Sequence, residues 1–251
     1  MIDNFHLSSF IFQLSSFILQ LYHTYNINSG FAFLDEEEYI HVVKTLRKKQ
    51  GDRLDLMDGK GAYYEAEIAE IGKKEVKLRI LSSREISLNW DFDLQLAVAP
   101  TKNIDRIEWM LEKCVEIGIN SFTPILCRHS ERKQIRTDRL HKIALAAAKQ
   151  SQKSVLTKIN ELTDFAKFIS EATATQKFIA HCQSSDLPEL KNAFEYSAGT
   201  SVLVLIGPEG DFSPEEIDLA LKHGFKAISL GKSRLRTETA GLVACHTVQL
   251  C

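Results

Sequence analysis

Two short stretches near the C-terminus carry most of the residues placed to do chemistry. The first, Ile206-Gly207-Pro208-Glu209-Gly210, ends an apolar run over 202–206. The second runs from Leu230-Gly231 through Leu235, Arg236, Thr237, Glu238 and Thr239. Glycines at strand ends let backbone amides and carbonyls approach a ligand without a Cβ in the way. The carboxyl ends of strands in an open α/β sheet are where ligands bind. A dinucleotide is excluded, because G-x-G-x-x-G is absent and Glu209 would repel a pyrophosphate. A P-loop is excluded too: Gly231-Lys232-Ser233 needs a glycine five residues before Gly231, and Lys226 stands there. Arg236 is a cation able to stabilise developing negative charge but unable to accept a proton near neutral pH. A structural reading stands beside each of these. Ser213-Pro214-Glu215-Glu216 is a capping box that fixes a helix start by itself. Thr237 or Thr239 could cap the last helix, and Arg236 could simply bridge to Glu209 or Glu238. No Cys–His or carboxylate pair is spaced as a covalent or general-base centre.

The elements that must position these residues follow from periodicity. Apolar runs at 94–99, 122–126, 156–160, 177–181, 202–206 and 227–230 alternate with helical patterns, which predicts an α/β domain with a mostly parallel sheet. The clearest helix is "NIDRIEWMLEKCVEIG", with Ile104, Ile107, Leu111, Cys114 and Val115 on one face and Gly118 as its stop. Before it, "GDRLDLMDGKGAYYEAEIAEIGKKEVKLRIL" predicts strands near 53–57, 62–69 and 75–81. A helix over "DEEEYIHVVKTLRKK", capped by Asp35 and basic at its end, precedes them. A small β-barrel domain over 20–90 and an α/β domain over 91–251 are therefore expected. Residues 1–19 hold all but the last residue of a heptad written twice over 7–20, "LSSFIFQ" then "LSSFILQ", that lacks the cationic flank of a secretory signal and is too polar for a membrane span. They read as a dispensable extension.

Composition is that of a soluble globular protein, 44% hydrophobic and 25% charged, with a net charge of −2. Five cysteines without a C-x-x-C pair argue against a disulfide framework or a zinc site and fit the cytoplasm. Any polyanion site must come from local clustering. Residues 128–153 supply it, with eight basic side chains (Arg128, Arg132, Lys133, Arg136, Arg139, Lys142, Lys149 and Lys153) against Glu131 and Asp138. Lys44, Arg47, Lys48 and Lys49 form a second cluster in the front domain. Each cluster is either a solvated face or part of an RNA phosphate track.

Gly-Pro-Glu-Gly at 207–210, followed by Leu-Gly-x-x-x-Leu-Arg-Thr-Glu-Thr-Ala at 230–240, resembles the signature of the RsmE family. These are SPOUT-superfamily enzymes that methylate N3 of a uridine in small-subunit (16S) ribosomal RNA. "VAPTKNIDRIEWMLEKCVEIGINSFTPILCRHSER" and "AAAKQSQK" resemble the family's catalytic domain, and the front segment, with "HVVKTLRKKQGD", resembles its PUA-like domain. Two departures stand out: Asp211 where glycine is common, and a polar Lys232-Ser233-Arg234 run. The resemblance implies a SPOUT-type trefoil-knotted α/β domain behind a PUA-like β-barrel, and a homodimer without metal or membrane. It implies S-adenosylmethionine held by Ile206, Gly207, Pro208, Glu209, Gly210, Leu230, Gly231, Leu235, Thr237, Glu238 and Thr239, with Arg236 catalytic. Ribosomal RNA would be contacted by Lys44, Arg47, Lys48, Lys102, Arg128, Arg132, Lys133, Arg136 and Gln150.

Overall fold

The computed structural model describes residues 20–86 and 91–251. Residues 1–19, with all of the heptad repeat except Gln20, lie outside the described residues, and so does their expected dispensability. The chain divides into two compact units between Ser87 and Leu88.

The first unit is a six-stranded sheet. Its strands are β1 (Leu21–His23), β2 (Asn26–Asn28), β3 (Phe31–Leu34), β4 (Arg53–Met57), β5 (Ala62–Ile71) and β6 (Val76–Glu85). They are ordered β1-β4-β5-β6-β3-β2, with only the β1–β4 pair parallel. Thr24 links the two ends of the sheet: its N–H donates to Met57 O beside β1 and its hydroxyl to Phe33 O on β3. Alternation puts Leu54, Leu56, Ala66, Ile68, Val76 and Leu78 inward against Tyr22, Tyr39 and Val42. The opposite face carries cross-strand ion pairs, Arg53–Glu65 and Arg79–Glu67. The three-residue strands β1 and β2 are too short to show a periodicity in sequence.

The helix expected over 35–49 is shorter than its pattern. Asp35 caps it as expected, its carboxylate accepting from Glu38 N. Only Glu36–Tyr39 (α1) is α-helical, and Ile40–Thr45 continues as a π-helical segment. Arg47 then takes φ +57, so the chain leaves the helix axis, and of the basic end only Lys44 stands in the last turn to complement the helix dipole.

The second unit is built on β7 (Asp93–Val98), β8 (Ser121–Leu126), β9 (Lys158–Ile159), β10 (Thr163–Asp164), β11 (Gln176–Ala180), β12 (Ser201–Ile206) and β13 (Lys226–Ile228). Every pairing is parallel, in the order β10-β8-β7-β12-β11-β13 with β9 also on β8. The six apolar runs correspond to β7, β8, β9, β11, β12 and β13; β8 and β12, buried on both faces, read as continuous apolar sequence, whereas β9 and β13 each begin on an exposed lysine. The helices are α2 (Ile104–Ile117), α3 (Thr137–Gln150), α4 (Phe165–Glu171), α5 (Leu190–Ala193), α6 (Pro214–Lys222) and α7 (Thr237–Leu250). Leu203 and Leu205 of β12 join a core with Phe165 and Ile169 of α4 and with Ile217 and Ala220 of α6. α7 lies on the β7–β12 side against α2.

α2 begins at Asn103, whose side chain accepts from Asp105 N, and ends at Gly118 with φ +126. Its buried residues are Ile107, Met110, Leu111, Cys114 and Val115, with Ile104 only half-buried. Against it α7 brings Gly241 so close that an added Cβ would lie 2.2 Å from Met110 Sδ. Cys245 Sγ donates to Cys114 O at 3.8 Å, and hydrogen bonding to Cys245 together with burial holds the Cys114 thiol well above its ordinary range. All five cysteines are free thiols. Gly241→Val is expected to destabilise the chain by about 2–3 kcal/mol through overpacking. Met110→Ala in that background should recover part of the loss in denaturant titrations, which identifies the contact.

Candidate functional site

The strand order reverses beside β7 and β12: the chain builds outward through β8 to β10, then returns on the other side as β11 to β13. Such switch points open a crevice at the strand carboxyl ends. Here it is a cavity of about 310 Å³, lined by the ends of β11, β12 and β13 and the start of α7. Its size is at the lower end of small-ligand pockets.

One wall is the loop after β12. Gly207 is placed there for close packing: a Cβ on it would meet the buried Phe212 ring at 3.1 Å and Phe212 N at 3.2 Å. The loop ends in the expected capping box, Ser213 Oγ accepting from Glu216 N and Glu216 Oε2 accepting from Ser213 N. Glu216 Oε1 also accepts from Arg128 N at 2.8 Å, so the cap ties the loop after β8 to α6. A second wall is the loop after β13, where the Ser229 hydroxyl donates to Gly231 O and accepts from Gly231 N. Gly231 has φ +119 with nothing within 4 Å of a built Cβ. A third wall, Ala180-His181-Cys182, follows β11. Burial holds the His181 imidazole below its ordinary range, with Asp211 opposing the shift, and Nδ1 accepts from Gln183 N.

Of the residues expected at the cofactor, Ile206, Gly207, Pro208, Glu209, Leu230, Gly231, Leu235 and Thr237 line this cavity together with Arg236. Gly210, Glu238 and Thr239 stand outside its lining. Gly210 instead approaches His129, whose Cβ lies 3.2 Å from a built Cβ. Glu238 is buried, with one carboxylate oxygen 3.7 Å from Arg106 Nη1 and the other without a hydrogen-bond partner. Neither threonine caps α7. Its N-cap is Arg236, with no side-chain cap bond, while Thr237 Oγ1 donates to Gly207 O at 3.0 Å. That bond joins the two glycine loops. Glu209 accepts from Lys102 N at 3.0 Å. The bridges weighed for Arg236, to Glu209 or Glu238, are therefore not made. Among the described residues the exposed Arg236 side chain has no ion-pair or hydrogen-bond partner.

Sequence reading missed His181 and Cys182. The available signal was the apolar run at 177–181, whose carboxyl end marks a ligand edge in a parallel sheet.

The basic residues are placed differently from one another. Arg132 is half-buried and spends Nε on Thr101 O and Nη2 on Lys102 O, which makes it a brace for the loop after β7. Arg128 pairs with Glu215 at 3.0 Å, Arg136 with Asp138 at 2.7 Å and Lys102 with Glu131 at 2.9 Å, all exposed pairs of low net strength. Lys133 and Gln150 are exposed, and with Lys102, Glu131, Arg132 and Gln134 Lys133 rims an open depression. In the first unit, Lys44 is exposed with Nζ 5.8 Å from the Tyr39 ring, Arg47 is exposed, and Lys48 is half-buried. Acids from elsewhere in the fold, Glu215 and Glu108, meet Arg128 and Arg139, so the cluster is less positive than its sequence. Among the described residues no group of three or more His, Cys, Asp and Glu side chains is placed to hold a metal ion. None of the described helices is long and apolar enough to cross a membrane.

Residues 89–249 match the family model for an RNA methyltransferase domain, and residues 34–81 that for an RNA methyltransferase PUA domain. A probable rRNA-methyltransferase from Porphyromonas gingivalis superposes with a TM-score of 0.84 at 40% identity, covering 93% of this chain and 99% of that one. A putative methyltransferase from Legionella pneumophila, solved with bound cofactor SAM, gives 0.82 at 29% identity over 92% and 97%. The ribosomal RNA small subunit methyltransferase E of Buchnera aphidicola (subsp. Acyrthosiphon pisum) is 29% identical over 227 residues, 87% of each chain. With two loops joined by Thr237 at one cavity, a catalytic-domain match over most of the chain and a PUA-domain match before it, the chain belongs to the RsmE family of RNA methyltransferases.

Proposed function

We propose that this chain methylates N3 of a uridine in small-subunit ribosomal RNA, using S-adenosylmethionine bound in the cavity at the ends of β11, β12 and β13. The single observation that carries the reading is that cavity, with an unpaired Arg236 at its edge, in the unit that matches the methyltransferase family. The residues present suit the cofactor. Ile206, Leu230, Leu235 and Ala240 offer an apolar surface for an adenine, and the glycine loops offer backbone groups. Glu209 places negative charge on the lining, where a sulfonium is tolerated and a pyrophosphate is not. Bound there, the cofactor supplies an electrophilic methyl group for in-line transfer. The chain's own work is positioning and charge stabilisation: N3 of uracil carries a proton that must leave, and the Arg236 guanidinium faces the negative charge that develops on the ring. It cannot accept that proton.

Incubation of the purified chain with small subunits and with naked 16S RNA, followed by mass spectrometric mapping, tests the reading. A single N3-methyluridine is the expected product. A ribose 2′-O-methyl product, or RNA affinity without methyl transfer, would overturn it.

RNA affinity in this reading comes from phosphate contacts by Lys102, Lys133 and Arg136, with Lys44, Arg47, Lys48, Arg128 and Gln150 adding to them. Arg132 is committed to its loop, so reversing it is a poor test. Lys102→Glu, Lys133→Glu and Arg136→Glu together should flatten the salt dependence of RNA binding by about two in log–log slope. S-adenosylmethionine affinity should not change. An unaltered slope would make this cluster a solvated face.

The functional unit proposed is a cytoplasmic homodimer formed around α7, with the C-terminal chain threaded as the family's trefoil knot, a rare exception to unknotted connections. Two features support the dimer. α7 buries Gly241, Ala244, Cys245 and Val248 on one side, yet Leu242 and Val243 beside them are only half-buried and Leu250 is 73% exposed. On α2, Trp109 is 46% exposed. Sedimentation should give two chains per particle at micromolar concentration, and Val243→Glu with Leu250→Glu should give inactive monomers. A fully active wild-type monomer would refute the assembly.

A further inference from the structure

The β11–β12 ladder ends at Ala180↔Ile206. Beyond that rung the two loops have no sheet hydrogen bonds to hold them together, yet both line the cavity. His181 is half-buried, and Cys182 and Gln183 are exposed, so packing does little to fix the first loop. Asp211 bridges the gap. Its Oδ2 accepts from Cys182 N at 2.9 Å, and its Oδ1 accepts from Phe212 N at 2.8 Å. Beside it, Gln183 Nε2 donates to Phe212 O. The Asp211 backbone is engaged as well, its N–H donating to Pro208 O and its carbonyl lying 3.0 Å from His129 Nδ1.

Asp211 makes these contacts from φ +62, a left-handed conformation that L-residues adopt at a cost and glycine adopts freely. Glycine is therefore the sterically easy residue at this position; aspartate is among the few L-residues that tolerate it, so backbone geometry permits an aspartate without supplying a reason for one. The carboxylate gives one, because only a side chain can reach Cys182 N on the neighbouring loop.

We propose that Asp211 is a positioning residue for the cofactor cavity, its carboxylate strapping the loop after β11 to the loop after β12 so that Ala180, His181 and Cys182 are held as a preformed wall. This rests on the cavity being the S-adenosylmethionine site. A wall ordered before binding spares the ligand the cost of ordering it, so the strap acts on affinity and leaves the methyl-transfer step alone.

Asp211→Gly is a clean probe, since glycine keeps the backbone conformation and removes only the carboxylate. In the ligand-free full-length variant, amide exchange at Cys182 should accelerate by about tenfold, as expected for loss of one charge-assisted bond. The Kd and KM for S-adenosylmethionine should rise by about tenfold, with kcat at saturating cofactor within about twofold of wild type. The thermal midpoint should hold within a few degrees. Asp211→Asn keeps one acceptor oxygen and should fall between. Unchanged exchange at Cys182, or faster exchange with unchanged Kd and KM, would overturn the proposal. A wild-type chain with no affinity for S-adenosylmethionine would instead sink the functional reading, and the exchange comparison would still decide whether the strap exists.

Discussion

Arg236→Ala is expected to lower the turnover of RNA methylation by about a hundredfold to a thousandfold, the usual consequence of deleting one group aimed at transition-state charge. Cofactor affinity and folding should change little. The side chain is exposed and unpaired among the described residues, so its removal leaves no buried partner behind. Its backbone carbonyl, which accepts from Ala240 N at 2.8 Å and starts α7, is untouched by the substitution. Arg234→Ala is the control. That arginine also lines the cavity and is exposed, and a general effect of positive charge on RNA capture would appear in both variants. A loss confined to Arg236, expressed in kcat at saturating RNA and cofactor, is the expected pattern. Normal turnover in Arg236→Ala would remove it from the chemistry.

Filling the cavity should have the second large effect. The glycines are poor places to do it. A side chain at Gly207 would push on buried Phe212, and one at Gly231 would be forced into φ +119, so either change disturbs the loop before it blocks a ligand. Ala240 already points a methyl group at the cavity from the first turn of α7 and is only half-buried. Ala240→Leu should weaken S-adenosylmethionine binding by about tenfold to a hundredfold, the equivalent of overpacking a close-fitting site. Calorimetry with the cofactor and a thermal midpoint on the same sample separate blockage from unfolding. Unaltered affinity would move the cofactor away from the α7 end of this cavity.

Features written in neighbouring residues were legible without coordinates. Ser213 and Glu216 are three positions apart and cap each other, Gly118 stops α2 because it alone tolerates φ +126, and Asp35 reaches the amide of Glu38. Parallel strands buried on both faces announce themselves as apolar runs, and the glycines at 207 and 231 mark where two of those strands end in loops. For such elements the deciding forces act within a turn of helix or along one strand, so the local sequence determines them.

What only the tertiary structure decided involves partners far apart along the chain. Glu209 is matched to Lys102 N across 107 positions, Arg132 to the carbonyls of Thr101 and Lys102 across about 30, and Thr237 to Gly207 across 30. Each changed a role: Glu209 and Arg132 became braces, Thr237 a link between loops, and Arg236 was left unpaired at the edge of the cavity. Glu238 sits in the first turn of α7, and the fold adds a buried contact with Arg106 that its sequence position does not announce. The wall at Ala180 to Cys182 is set by Asp211, 29 positions after Cys182, and three-residue strands such as β1 and β2 exist only because a sheet was there to receive them. A lone charged or polar side chain has many possible partners in sequence. Chain folding selects one by bringing it within about 3 Å, and that selection fixes which polar groups brace the cavity and which remain free to act in it.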